Sequence, residues 1–420
     1  LTSRAETLFA QNISRPWLPG LIGKVLAQFP ATQPIPTRRR LSEFLLRMQI
    51  PKEDRAPGST RLVRHLPDWP GTMQPASGPP TAWNVPAIVS VAELAEWLGI
   101  SQGELEWFAN RTGWNSKPPR EQLGHFRYRW IQKPSGGVRL LESPKPRLKE
   151  FQRQILVGIL SQVPCHPAAH AFRTGRSVAT YVEPHQNQQV VLHIDLCEFF
   201  PSIQSSRIHA LYRMLGYPER VAGLLTGLCT NATPSSVLEP GVARVHGEST
   251  WQRFRSPHLP QGAPTSPILA NLCTYGLDRR LSGLAASASA RYSRYADDLV
   301  FSGDTSFARS LSRWRILIHA IIIDEGFEIR HRKTRTMVAG TRQHVAGIQL
   351  NSHSNIPRAT FDELKAILHN SVRFGPDSQN RDGHPRFREH LQGRLAYWSM
   401  ISPGRIQKLQ QIFEQISWPE

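Results

Sequence analysis

The chain has 420 residues, of which 40% are hydrophobic, enough for a substantial core and more than one typical domain needs. Lys and Arg number 51 against 32 Asp and Glu, a net charge of +19, so polyanions such as nucleic acid are the favoured partners. No run approaches the roughly 20 apolar residues of a membrane span, and four widely spaced cysteines without a CxxC pair point away from zinc modules and disulfide frameworks.

The opening LTSRAETLFAQ lacks the charged-then-apolar order of a secretory signal, and its Leu1 is compatible with an unusual initiator or a trimmed fragment. A cytoplasmic protein without membrane contact is expected. Residues 1–85 read as a Pro-rich extension with a basic cluster at Arg38, Arg39 and Arg40, a helix over Leu41–Met48 and a linker over 65–80.

Two capping boxes, Ser90/Glu93 and Ser101/Glu104, open a helical hairpin within 86–125. Packing is its ordinary role, with a DNA-reading helix-turn-helix as the alternative. FRYRWIQKPSGGVRLLESP, 126–144, has the alternation and turn residues of a β-hairpin. It sets Lys133 and Arg139 on either side of Ser135, Gly136 and Gly137. Exposed amides flanked by two cations suit a triphosphate, although a solvated basic edge looks the same.

An amphipathic helix is expected over 148–160, and QQVVLHIDLCEFF, 188–200, reads as a buried strand ending in a turn. Asp195 at that strand end is either a turn residue or a carboxylate held by a partner or metal. Residues 231–258 read as a polar loop insertion. HLPQGAPTSPILANL, 258–272, is a loop entering a helix, with Gln261 able to bond a sugar or base edge beside Gly262. Phe199 and Phe200 follow Asp195 closely enough for a ring to abut a bound sugar.

SRYADDLVFSG, 293–303, predicts strand, tight turn and strand. A continuous strand would point Asp297 and Asp298 to opposite faces, whereas a hairpin presents both at one edge. If the strand of Asp195 lies alongside, three carboxylates converge and require divalent cations. A surface acidic turn is the plain alternative. A helix is expected over 310–327, ending at Gly326, then a short strand over HVAGIQLN, 344–351. Lys333 lies between them, placed to protonate a leaving pyrophosphate or simply exposed. Helices TFDELKAILHN, opened by a Thr360/Glu363 box, and HLQGRLAYWSM follow.

Asp195 with Phe199-Phe200, then PQGAPTSP, YADD, GFEIRHRKTR and VAGIQLN, in this order, resemble the palm of reverse transcriptases from about Tyr128 onward. Within that superfamily the chain resembles bacterial retron-type enzymes. The carriers are HPAAHAFRTGRSV (166–178), QGAPTSPILANL, YSRYADDLVFSG, LKAILHN (364–370) and LQGRLAYWSM (391–400). It departs from them at Tyr181-Val182, where Asn-Ala is usual before a retained His185, and at Val345-Ala346-Gly347, where Val-Thr-Gly is usual.

The resemblance implies an α+β right-hand polymerase: fingers and palm over 126–351, with an antiparallel sheet packed on helices, and a helical thumb over 352–420. It implies that Asp195, Asp297 and Asp298, with the Leu196 carbonyl, hold two Mg²⁺ ions, for which Mn²⁺ could substitute. Phe200 would be the gate against a 2′-hydroxyl. Gln261 would touch the incoming nucleotide or template, and Lys133 and Arg139 would bind triphosphate. Lys333 would be the general acid, and Val345, Ala346 and Gly347 would form the primer grip. The implied function is RNA-directed DNA synthesis on a structured non-coding RNA primed from an RNA 2′-hydroxyl. Partners would be that RNA, the RNA–DNA hybrid, dNTPs and, in antiphage defence, room for an effector protein. The alternatives are a non-retron or group II intron-like enzyme, disfavoured by the short sequence after the thumb, and an inactive RNA-binding scaffold.

Overall fold

The computed structural model describes residues 27–28, 83–110, 124–133, 138–238 and 248–418. Nearly all of them lie in the second of two units, Pro70–Glu420. The helix expected at Leu41–Met48, the arginine cluster, the 65–80 linker and the hairpin turn at Ser135, Gly136 and Gly137 lie outside the described residues.

Helices α1 (Val91–Leu98) and α2 (Gln102–Ala109) form where the serine caps anticipate them. At α2 the box closes in both directions. At α1 Glu93 reaches one residue further back and accepts from the Val89 amide at 2.9 Å. Leu94, Leu98 and Leu105 turn into the core.

Strands β1 (Phe126–Gln132) and β2 (Val138–Pro144) pair as an antiparallel hairpin, with Tyr128 opposite Glu142 and Ile131 opposite Arg139. Alternation leaves Arg127, Arg129 and Arg139 exposed and buries Leu140 and Glu142. Helix α3 (Pro146–Gly158) follows, started by a proline that loses no helical hydrogen bond there. The short helix α4 (Val178–Val182) precedes the central strand β3 (Val190–Asp195).

Helices α5 (Phe199–Ser202), α6 (Ser205–Met214) and α7 (Glu219–Cys229) continue the chain. The expected loop insertion at 231–258 instead carries the short helices α8 (Ser235–Leu238) and α9 (Glu248–Arg255). Its ends are paired by reciprocal backbone bonds between Asn231 and His258. Residues 239–247 lie outside the described residues; at the ends of the segment the polar Asn231, Thr233 and His258 have a buried partner far off in sequence, Glu142.

Helices α10 (Ser266–Cys273) and α11 (Tyr275–Ser287) lead to β4 (Arg291–Tyr295) and β5 (Asp298–Gly303). Helix α12 (Thr305–Asp324) starts five residues earlier than expected, because Asp304 caps it by accepting from the Ser306 and Phe307 amides. Strand β6 (Arg335–Val338) completes a four-stranded antiparallel sheet of order β4-β5-β3-β6.

Period-two alternation divides the core between the two sheet faces. Leu192, Ile194, Leu299 and Phe301 pack with the larger helical cluster. Val191 and Val300 pack on the other side with Tyr181, Met337, Val345 and Ile348.

HVAGIQLN is not one strand but a tight hairpin of β7 (His344–Val345) and β8 (Ile348–Gln349). Ala346 and Gly347 both have positive φ, +50° and +78°, the requirement of a type I′ turn. Each arm keeps strand-like alternation, which hid the turn.

Helices α13 (Arg358–Phe374), α14 (Phe387–Ser399) and α15 (Pro403–Glu414) build a separate core around Leu364, Leu368, Leu391, Leu395, Ile406 and Leu409. Pro357, not Thr360, caps α13, so the Thr360/Glu363 box is unused. Helix α15 was not anticipated. Mixed helices and antiparallel sheets give the α+β class expected.

Candidate active site

The YADD turn joins β4 to β5, with Tyr295 opposite Asp298 and only Ala296 and Asp297 between them. Ala296 has φ +55°. Positive φ at the first central residue of a two-residue hairpin is the type II′ geometry that glycine usually supplies. Arg294 holds this strained turn. Its Nη1 donates to the Ala296 carbonyl at 3.1 Å, while Nε and Nη2 grip both oxygens of Asp278 at 2.8 and 2.7 Å. Both side chains are 0% exposed, and the Tyr292 hydroxyl also donates to Asp278 at 2.8 Å.

Strand β3 lies beside β5 with Asp195 directly opposite Asp298, and the Leu196 amide donates to the Asp297 carbonyl at 3.0 Å. The three carboxylates therefore share one edge of the sheet. They are not drawn in around one point: among the described residues no three His, Cys, Asp or Glu side chains are gathered as a metal ion would gather them. Asp195 Oδ2 accepts from Lys333 Nζ at 3.0 Å, and Asp298 Oδ1 lies 2.9 Å from His193 Nε2. Burial, then repulsion from Asp298 and Asp195, pushes the Asp297 carboxyl up to about 6.

These residues suit a divalent cation of the hard, oxygen-seeking kind. Asp195 Oδ1 is buried and accepts no hydrogen bond. Arg330 Nη1 approaches it at 3.0 Å, close enough for an ion pair but outside hydrogen-bond geometry. One acceptor is thus left open on a carboxylate beside an Asp297 on which burial and like charges outweigh the Lys333 charge.

Arg330, Glu198 and His193 belong to this site and were missed in the sequence. Arg330 also stands 3.5 Å from Glu198 Oε1, and Lys133 Nζ reaches the same oxygen at 3.4 Å. Lys133 is therefore turned inward toward the carboxylate edge, whereas Arg139 remains on the exposed face of the hairpin. The single available signal was position: Glu198 lies between Asp195 and Phe200, and Arg330 three residues before Lys333.

Phe200 is half-buried on α5, its ring 5.5 Å from Phe199 and 6.2 Å from the exposed Phe172. Gln261 is joined to β2, since its carbonyl accepts from the Glu142 amide at 2.8 Å. Val345, Ala346 and Gly347 lie in the β7-β8 hairpin, with Val345 buried in the second core cluster. His185, expected only as a retained sequence mark, is fully buried. Its ring nitrogens lie 2.7 Å from Ser302 Oγ on β5 and 2.7 Å from Ser293 Oγ on β4, so it fastens the two strands of the YADD hairpin together.

A sheet edge carrying Asp195, Asp297 and Asp298, with Lys333 on Asp195 and Lys133 turned toward Glu198, has the acidic and basic groups that nucleotidyl transfer uses. Residues 131–365 match the family described as reverse transcriptase (RNA-dependent DNA polymerase). The chain is 38% identical to the retron Mx65 reverse transcriptase of Myxococcus xanthus, over 78% of this chain and 72% of that one. It is 34% identical to the retron Mx162 reverse transcriptase of the same organism, over 75% and 64%. With the retron Ec86 reverse transcriptase of Escherichia coli it shares 29% identity over 65% and 76%. The chain belongs to the reverse transcriptase family, to its bacterial retron type, and is an RNA-directed DNA polymerase.

Proposed function

We propose that the protein copies a structured non-coding RNA into single-stranded DNA, starting from a 2′-hydroxyl of RNA, in defence against phage. The observation that carries the catalytic reading is the register of Asp195 against Asp298 with Lys333 3.0 Å from Asp195. The retron names of its relatives favour this over an intron-type enzyme. In this reading 126–351 work as fingers and palm, 352–420 as a thumb on the RNA–DNA duplex, 86–125 as a helical hairpin, and 1–85 as an extension.

Asp195, Asp297, Asp298 and the Leu196 carbonyl would hold two Mg²⁺ ions, or Mn²⁺ in their place. When bound, such ions activate the attacking hydroxyl and stabilise the leaving pyrophosphate. Lys133 and Arg139 grip the triphosphate of a dNTP. Lys133 then exchanges its Glu198 partner for phosphate oxygens. The Phe200 ring limits room at the sugar 2′ position, and Gln261 contacts the nucleotide. Lys333 gives a proton to pyrophosphate as it leaves, and the Val345–Ala346–Gly347 turn steadies the primer strand. Catalysis is mainly positioning and electrostatics.

The test is purification with bound nucleic acid, sequencing of that material, and extension with dNTPs and Mg²⁺. A branched RNA–DNA junction that lengthens with dNTPs is expected, with binding that weakens steeply as salt rises. Extension only from DNA or RNA 3′ ends would overturn the priming reading.

A further inference from the structure

Outside the carboxylate edge, a fully buried charge cluster centres on Glu142 of β2. Glu142 and His258 are both 0% exposed, with Nε2 of the ring 2.8 Å from Oε2. Oε1 accepts from Asn231 Nδ2 at 2.8 Å and from Thr233 Oγ1 at 2.7 Å. Asn231 also donates to the Tyr128 hydroxyl on β1 at 3.1 Å. The other ring nitrogen of His258 faces the Ser256 carbonyl at 2.8 Å.

Such a cluster is a poor way to gain stability. Buried ion pairs often match or lose to apolar packing of the same volume, whereas removing one partner alone is costly. What it supplies is a defined relative placement of the elements it joins. Here those elements are the hairpin carrying Arg139 and the loop carrying Gln261, three residues after His258.

The backbone repeats the tie. The Glu142 amide donates to the Gln261 carbonyl at 2.8 Å. A Cβ at Gly262, where φ is +126°, would stand 3.3 Å from the Glu142 carbonyl oxygen, so only glycine suits this close crossing. From the same loop, the Leu259 amide donates to Ile203, whose amide donates to Phe200. Glu142 is thus tied by its carboxylate to Asn231, Thr233 and His258 and by its backbone to Gln261, and the same loop is bonded through Leu259 and Ile203 to the backbone of Phe200.

We infer that Glu142 is a positioning residue for the incoming nucleotide: with His258, Asn231 and Thr233 it locks the Arg139 hairpin to the Gln261 loop so that they meet a dNTP as one body. This rests on the proposed nucleotide contacts of Gln261 and Arg139.

Glu142→Gln keeps the shape but removes the charge that faces His258. It should raise KM for dNTP about tenfold in single-nucleotide extension while kcat changes less than about threefold. Gln261→Ala should also raise KM, and the double variant should fall short of the product of the two single effects, because Glu142 acts in part through that loop. An unchanged KM with lowered thermal stability for Glu142→Gln makes the cluster merely structural and overturns the inference. A raised KM for Glu142→Gln beside an unaffected Gln261→Ala keeps the lock and overturns the reading of Gln261 instead. Should Glu142→Gln fail to fold, hydrogen exchange on the unaltered protein decides. Adding dNTP and Mg²⁺ should slow exchange in 138–143 and 258–262 together, and slowing in one segment alone overturns the lock.

Discussion

Lys333 Nζ lies 3.0 Å from Asp195 Oδ2, so the proposed proton donor starts as a counter-ion of a proposed metal ligand. Lys333→Ala should slow nucleotide incorporation about 10²-fold. Lys333→Arg separates the two roles, because a guanidinium keeps the charge but does not release a proton. Arginine should leave the rate low in single-turnover extension; recovery to the parental rate would reduce Lys333 to a counter-ion.

Asp297 sits against two like charges in a half-buried turn. Asp297→Asn should abolish incorporation while leaving RNA binding intact. It should also raise the melting temperature of metal-free protein by roughly 1–3 °C, since it removes a charge that burial and two like neighbours disfavour. Paired extension and thermal-melt measurements check this, and residual synthesis at parental rate would sink the metal-ligand role.

The Arg294–Asp278 pair predicts sensitivity at a residue that touches no substrate. Lysine cannot reproduce the fork that grips both Asp278 oxygens and the Ala296 carbonyl. Arg294→Lys should cost about 3 kcal/mol in urea unfolding, together with a loss of activity. Unchanged stability would mean that the turn is held by something else.

Phe200→Ala should open the sugar side of the site and admit ribonucleotides. Competition between dCTP and CTP in a single extension reads this directly, and an unchanged preference would remove the gate role.

Burial, then the charges of Arg291 and His170, pushes His185 down to about 3. The unfolded chain therefore takes up a proton near 6.5 that the folded chain refuses. This contribution is full above about 6.5 and is lost as pH falls toward 3, by about 1.4 kcal/mol per unit. His170, pushed down to about 4 mainly by burial, adds to the slope. Asp297, raised from 3.8 to about 6, works the other way over that interval. Urea midpoints measured between pH 7 and 5 should fall, and His185→Gln should flatten the decline. An unaltered slope would show that His185 does not carry it.

Much of the site could be read from order along the chain. Asp195 ends an apolar run, and YADD leads into another, so a strand, a hairpin and their acidic edge were foreseeable. Glu142 and Arg294 were not. A glutamate in LLESP and an arginine in YSRYADD look like exposed charges, and only partners far away in sequence make their burial tolerable: His258 for one, Asp278 for the other. The tight turn at Ala346-Gly347 was hidden because its arms alternate like one strand.

By itself the sequence determined the chemical inventory and the local elements, because alternation, caps and turn residues act over a few positions. It thereby determined that Asp297 and Asp298 would sit at one end of a hairpin. Only the tertiary structure decided which charge faces which. Strand β3 docks against β5 and brings Asp195 opposite Asp298, while β6 and the segment before it bring Arg330 and Lys333 onto Asp195. Those pairings depend on how strands separated by more than a hundred residues register. That is set by the burial of Leu192, Ile194, Leu299 and Phe301 on one face and Val191 and Val300 on the other.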